Sequence, residues 1–220
     1  MVGTATEYAL AIDTLPVNGA LMLYDLSWGD YEKLLQQFGE APGFRVSYDK
    51  GKVQIMPVSF AHEYYAEFLK QLVGLFSRWH RLKVLHFGSA TLKRQSKLKG
   101  VEPDASFYIQ SAAFIGSKIN LDLEFDPPPD VIVEVDIHHE SLTRFPIYAS
   151  LGIGEIWHYD DQRLTIYCLQ QNQYVARPAS RALPMLTSAV LTEFLTRSKS
   201  EDQYDTLLAF EEWLRAQPPQ

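Results

Sequence analysis

The feature that most constrains the fold is a short apolar run, DVIVEVDI, at residues 130–137, which follows three consecutive prolines. The run is apolar enough to be buried on both faces, as is typical of a strand inside a sheet. Such a strand lies inside a sheet that helices cover on both faces. We therefore expect an α/β protein with a central mixed β-sheet flanked by helices.

The remaining sequence supplies helices and further strands. Residues 59–80 carry aromatic and aliphatic side chains at every third or fourth position, which predicts one long helix. Ser27 and Pro146 mark the starts of two shorter helices, and helical sequence follows from about Ala189. The predicted strands are a hairpin at 44–58, segments near 84–95 and 104–110, the run above, and a meander at 155–178. We expect a single domain over residues 1–220, with its core at about 45–180, an N-terminal helix and a C-terminal helical extension.

Cysteine content and hydropathy bear on the location of the chain. The single cysteine, Cys168, excludes an internal disulfide framework and suits a reducing compartment. The first thirty residues show no basic start followed by a long apolar run, and no stretch approaches the roughly 18 apolar residues of a membrane span. We expect a cytoplasmic protein with no membrane partner.

Charge is distributed unevenly along the chain. The formal net charge is −7, yet residues 78–101 contain seven lysines and arginines and no acid. Such a stretch can follow a phosphate backbone, but it can equally be a solvated loop and helix end. Composition leaves both interpretations open.

Three acids are placed where a metal site is possible. Glu134 and Asp136 are two residues apart on the apolar strand, so their side chains should project to the same side. Burying unpaired carboxylates is costly, and a divalent cation, a basic partner or solvent at the strand edge must meet them. Asp104, at the start of another strand, can converge on the same point. Three carboxylates suit Mg²⁺ or Mn²⁺ and the metal-assisted hydrolysis of phosphodiesters.

Three segments, GVEPDASFYI, PPPDVIVEVD and RFPIYASLGIGEIWHYD, follow one another along residues 100–160. In this order they resemble the Uma-type restriction endonucleases, a branch of the PD-(D/E)XK nuclease superfamily, and the similarity extends over about residues 45–170. The resemblance implies a restriction-endonuclease-like core and a Mg²⁺- or Mn²⁺-dependent endonuclease acting on DNA. It makes Asp104 and Glu134 the two motif acids that hold the metal, with Asp136 and Glu63 assisting. By analogy, a homodimer is expected.

The sequence departs from the superfamily pattern at two positions. Asp136 stands where a lysine is expected two residues after Glu134, and the basic residue of this branch corresponds to Arg144, four residues before Tyr148. Arginine stays protonated, so Arg144 would orient phosphate or stabilise the transition state while the metal activates water. Gln54 stands where many relatives carry glutamate. The nucleic-acid contacts expected from the basic stretch are Lys93, Arg94, Lys97 and Lys99.

Each candidate also has a structural interpretation. Asp104 can serve as a turn residue or helix cap, Glu134 can form an ion pair with Arg144, and Asp136 can cap the strand end. Glu63 can complement a helix dipole at the protein surface.

Three other functions remain open at this level. His138 and His139 suggest zinc, although no further His or Cys cluster completes such a site. A catalytically inactive nucleic-acid-binding module would keep the fold and bind DNA equally well in chelator. A protein-interaction scaffold, suggested by the acidic body and C-terminal helix, would show no salt-sensitive DNA affinity.

Overall fold

A computed structural model describes residues 7–8, 10–11, 14, 19–38, 43–137 and 141–217. Its helices are α1 (Trp28–Phe38), α2 (Phe60–Trp79), α3 (Ala112–Ile115), α4 (Phe145–Leu151), α5 (Ser188–Ser200) and α6 (Gln203–Ala216). Its strands are β1 (Leu21–Leu23), β2 (Phe44–Asp49), β3 (Lys52–Pro57), β4 (Leu85–His86), β5 (Leu92–Arg94), β6 (Lys99–Val101), β7 (Ala105–Tyr108), β8 (Val131–Val135), β9 (Glu155–Tyr159), β10 (Leu164–Gln170) and β11 (Gln173–Arg177). Single 3₁₀ turns occupy Gln95–Lys97 and Ser141–Arg144.

The strands form two sheets. The smaller sheet has the order β1-β3-β2-β6-β5 and is antiparallel throughout. The larger sheet has the order β11-β10-β9-β8-β7-β4 and is mixed, because β8 and β9 run parallel while the other neighbours are antiparallel. The predicted α/β class with a mixed sheet is confirmed, and the apolar run at residues 130–137 forms the interior strand β8.

Local sequence explains where several elements begin and turn. The Ser27 hydroxyl caps α1 by accepting a hydrogen bond from the Asp30 amide at 3.2 Å, and Ser59 accepts one from the His62 amide at the start of α2. Lys50 and Gly51 join β2 to β3 with φ angles of 47° and 97°. Positive φ at both central residues is what a two-residue hairpin turn requires.

Helices cover both faces of the larger sheet. On one face α2, α5 and α6 pack on a core that includes Phe68, Trp157 and Phe210. On the other face α4 packs on β8 and β9, and it also contacts Leu92 and Val101 of the smaller sheet. The segment around α4 therefore lies between the two sheets, and this placement builds the candidate site.

The sequence missed β1, β6 and the short helix α3. The predicted C-terminal helix is two helices, because Asp202 caps a new helix through the Asp205 amide at 2.8 Å. No helix in the described ranges is long and apolar enough to cross a membrane. Gly39, which the sequence predicts to lie just past the end of α1, and the histidine pair at 138 and 139 lie outside the described residues.

Candidate active site

The two motif acids lie where β7 and β8 pair, with Glu134 on β8 and Asp104 immediately before β7. Ala105 of β7 is opposite Val133 of β8, and the Asp104 amide donates to the Val133 carbonyl at 3.0 Å. The Asp104 side chain reaches along β8 to the Val135 amide, and its charge acts on Glu134. Asp104 is 4% exposed and Glu134 is 0% exposed. The structure thus brings these two predicted residues together in a buried position.

Both carboxylate oxygens of Glu134 have partners on the segment between the sheets. Arg144, at the end of the 3₁₀ turn before α4, forms an ion pair with Oε2, and the Tyr148 hydroxyl donates to Oε1. Arg144 and Tyr148 are four residues apart, so they share one side of the helical segment. Burial raises the pKa of Glu134 to about 8, and the charge of Arg144 opposes that shift. The ion pair that the sequence left open as an alternative is present.

Asp104 is held by the backbone and by an arginine that the sequence did not single out. Its Oδ2 accepts a hydrogen bond from the Val135 amide at 2.8 Å, and its Oδ1 lies 3.5 Å from Nε of Arg45. Arg45 belongs to β2 of the smaller sheet and is buried. Its Nη2 donates to Oε1 of Glu63 at 2.9 Å. The predicted accessory acid Glu63, 45% exposed in the first turn of α2, therefore reaches Asp104 through Arg45.

Glu102 is a further acid that sequence reasoning missed. Its carboxylate accepts hydrogen bonds from the Val46 amide at 2.9 Å and the Thr91 hydroxyl at 2.7 Å. Burial raises the pKa of Glu102, although its hydrogen bonds and the charges of Arg45 and Arg144 act against the shift. The site is thus a group of acids interleaved with two buried arginines.

Asp136 lies just beyond the end of β8. Its amide donates to the Tyr159 carbonyl at 2.7 Å, and its Oδ2 lies 2.6 Å from Nε2 of His158. His158 is the register partner of Glu134 in the parallel pair β8–β9. Asp136 therefore continues along the strand beyond Glu134, beside a histidine that the sequence did not assign. Its metal-binding role stays a prediction.

The donor set can be compared with the needs of a divalent cation. Within the described ranges, no three His, Cys, Asp or Glu side chains are arranged to hold a metal ion. The joint metal site of Asp104, Glu134 and Asp136 stays a prediction. Mg²⁺ commonly uses only one or two carboxylates and keeps water or phosphate oxygens as its other ligands. The adjacent Asp104 and Glu134 fit that requirement when the side chains that now contact them, such as Arg144 and Arg45, move away from the carboxylates. The zinc hypothesis concerns His138 and His139 and lies outside the described residues.

The four basic residues predicted to contact nucleic acid each have a partner within the chain. Lys93 pairs with Glu32 at 3.0 Å and remains 42% exposed. Arg94 donates to the Leu123 carbonyl at 2.6 Å, and Lys97 donates to the Ser150 carbonyl. The buried Lys99 pairs with Asp49. Their role as nucleic-acid contacts stays a prediction.

A cavity of about 260 Å³ lies next to the buried acids, between the smaller sheet and α4. Arg144 and Ile147 line it from one side, and Ser47 and Gln54 line it from the smaller sheet. The position where relatives carry a glutamate, Gln54, therefore faces the same space as Arg144.

The family model named Uma2, described as "Putative restriction endonuclease", matches residues 28–205. The chain belongs to the Uma2 family. This confirms the resemblance drawn from the sequence motifs, and the match to the Uma2 family includes Glu63, Asp104, Glu134 and Arg144. A crystal structure of a "putative nuclease belonging to DUF820" from Anabaena variabilis aligns with a TM-score of 0.46 and 16% identity, over 68% of this chain and 90% of that one. No curated protein matches the chain.

Proposed function

We propose that this Uma2-family protein is a metal-dependent endonuclease that hydrolyses DNA phosphodiester bonds with Mg²⁺ or Mn²⁺. The observation that carries the proposal is the pair of buried carboxylates, Glu134 on β8 and Asp104 just before β7, which lie close together where these two strands pair. A strand interior tolerates two acids side by side only with strong cationic partners. In a chain of this family a divalent cation is the partner that turns such a pair into a hydrolytic site.

Each side chain of the site has a distinct task in this proposal. Asp104 and Glu134 hold the cation, which when bound polarises the phosphate and lowers the pKa of a water molecule. Arg144 stays protonated, so it binds a phosphate oxygen and offsets the charge that develops during hydrolysis. Tyr148 orients Glu134 through its hydroxyl. Asp136 and Glu63 assist the two metal ligands. Asp136 does so from its position beside His158, and Glu63 does so through its contact with Arg45.

The substrate and assembly complete the proposal. Lys93, Arg94, Lys97 and Lys99 track the DNA backbone, and Lys93 has the exposure to do so once its pair with Glu32 opens. A homodimer would bring one site to each strand of the duplex, and a cytoplasmic location gives access to DNA.

The test is nicking of supercoiled plasmid in Mg²⁺ and then in Mn²⁺. We expect Asp104→Ala and Glu134→Ala each to lower the rate by about 10³-fold or more, because each removes a ligand of the activating cation. Glu193→Ala on the surface of α5 is the matched control and should cut as the wild type does. Cleavage that survives both site substitutions would sink the assignment of the site.

A second candidate is a nucleic-acid-binding module without catalysis. It is favoured by one observation, namely that Arg144 and Tyr148 engage both oxygens of Glu134. Such a module binds DNA equally well in chelator and in Mg²⁺, and it never cuts. Its affinity must still fall steeply as salt rises, whereas a protein-interaction scaffold would show no salt-sensitive DNA binding at all.

A further inference from the structure

The two acids of the candidate site are neutralised entirely by groups of the chain itself. Arg144 and Tyr148 engage Glu134, while Val135 and Arg45 engage Asp104. Each of the two carboxylates is therefore balanced by a guanidinium group, and Arg45 also pairs with Glu63. Without such balance, each buried carboxylate would cost several kcal/mol.

We propose that Arg45 and Arg144 are internal counter-ions that occupy the Asp104 and Glu134 carboxylates in the metal-free protein and leave them when a divalent cation binds. The inference rests on the metal site of the proposed function. A divalent cation carries the same charge as the two guanidinium groups, so it can replace them as the partner of these two carboxylates. The arginines thus compete with the metal and set its affinity.

The contacts of Arg45 suit this exchange. Its Nε is 3.5 Å from Oδ1 of Asp104, beyond the usual range of a hydrogen bond, whereas its Nη2 binds Glu63 at 2.9 Å. Glu63 is partly exposed and keeps its hold on the guanidinium when Asp104 is released. Arg45 can therefore leave Asp104 without losing its stronger partner.

Arg144 also has a place to move to. It lines the cavity of about 260 Å³ between α4 and the smaller sheet, and its Nη1 lies 3.5 Å from the Glu102 carbonyl. Among the described residues, the buried Nε atoms of both arginines have no hydrogen-bond partner. A guanidinium offers five N–H donors, and not all of them are used here. Each arginine therefore breaks fewer hydrogen bonds when it moves away from its carboxylate.

The inference is tested by measuring Mn²⁺ affinity directly, by calorimetry and by the electron paramagnetic resonance of free Mn²⁺. Arg45→Met and Arg144→Met should each bind Mn²⁺ about tenfold more tightly than the wild type, because an opposing charge a few ångströms away changes an ionic equilibrium by that order. Arg215→Met, an exposed arginine of α6, changes the net charge equally and should not alter the affinity. Asp104→Asn added to Arg45→Met should remove the gain.

Loss of a counter-ion can also prevent folding, and thermal unfolding with and without Mn²⁺ covers that case. The cation binds only the folded site, so it should raise the Tm of both arginine variants more than that of the wild type and restore a variant that is unfolded without metal. Variants that bind Mn²⁺ no more tightly than the wild type, or that stay unfolded in millimolar Mn²⁺, overturn the inference.

Plasmid nicking keeps this inference separate from the proposed function. If the wild type cuts and Asp104→Ala does not, while Arg45→Met gains no Mn²⁺ affinity, the counter-ion role is wrong and the nuclease stands. If both arginine variants gain affinity but the wild type never cuts, the counter-ion role stands and the nuclease is wrong.

Discussion

Two glutamates of the larger sheet are completely buried on neighbouring parallel strands, yet their surroundings differ. Glu134 is near the end of β8 and Glu155 begins β9, so they lie at opposite ends of the parallel pair. Glu155 accepts hydrogen bonds from the Trp157 indole at 2.6 Å and from the Arg181 amide at 2.7 Å, with the Ala182 amide at 3.4 Å. Glu134 instead faces a guanidinium and a hydroxyl.

The difference separates an acid held by backbone amides from an acid held by side chains. Backbone amides cannot leave Glu155 unless the loop that contains Arg181 unfolds, so this carboxylate fastens that loop to the sheet. The partners of Glu134 are side chains, and a rotamer change can withdraw Arg144 without moving the backbone. Glu134 can exchange its side-chain partners for a ligand, whereas Glu155 cannot give up its two loop amides without unfolding the loop.

Glu155→Gln offers the most severe test of this contrast. The amide group keeps one acceptor oxygen but turns N–H donors toward the amide donors of the loop, so we expect the free energy of unfolding to fall by about 2–3 kcal/mol. Urea unfolding measures this loss, and nicking per folded molecule should not change. Glu134→Gln is the counterpart and should lose nicking. The contrast breaks if Glu155→Gln abolishes nicking while its stability is intact.

Tyr148→Phe tests the hydroxyl that orients Glu134. The substitution removes one hydrogen bond to the carboxylate, so we expect a loss of about 1 kcal/mol in stability and a fall of about threefold in the nicking rate. Tyr174→Phe is the matched control, because its hydroxyl donates to the Ile153 carbonyl at 2.8 Å, away from the two acids. It should lose similar stability and retain full nicking. Equal nicking by both variants would mean that Tyr148 only packs the helix.

Much of this arrangement could be predicted from the sequence. The apolar run identified β8, and the motif order singled out Asp104 and Glu134, which lie close together. Arg144 followed from the resemblance to the family, whereas the contact of Tyr148 with Glu134 was not predicted. The predicted features are local or depend on the pairing of only two strands. A single sequence carries enough information to predict features of this kind.

The second sheet and its contribution to the site could not be predicted. Its strand β6 has only three residues, and Gly100 within it packs so closely on Tyr31 that a Cβ atom would lie 2.2 Å from the hydroxyl. Arg45 occupies an alternating strand, and alternation gives its face but not its partner. Glu102 and Glu155 were missed for the same reason, since only the tertiary fold determines whether an acid meets an amide or a guanidinium.

A third acid, Glu102, combines features of Glu155 and Glu134, and the effect expected for it is the smallest of the three. It accepts from a backbone amide, as Glu155 does, and it lies near both arginines, as Glu134 does. Burial raises its pKa above the usual 4.5, so the folded state binds this proton more tightly than the unfolded state does. Its stabilising contribution is complete below about pH 4.5 and is lost as the pH rises through the folded-state pKa.

The measurement is the difference in unfolding free energy between the wild type and Glu102→Gln from pH 4 to pH 8. The wild type should lose stability relative to the variant as the pH rises. Glu124→Gln is a control of opposite sign, because the Ser96 hydroxyl and amide lower the pKa of Glu124 and the wild type should lose relative stability as the pH falls. A flat difference for Glu102 would mean that Arg45 and Arg144 keep it ionised, and the two arginines would then serve three acids rather than two.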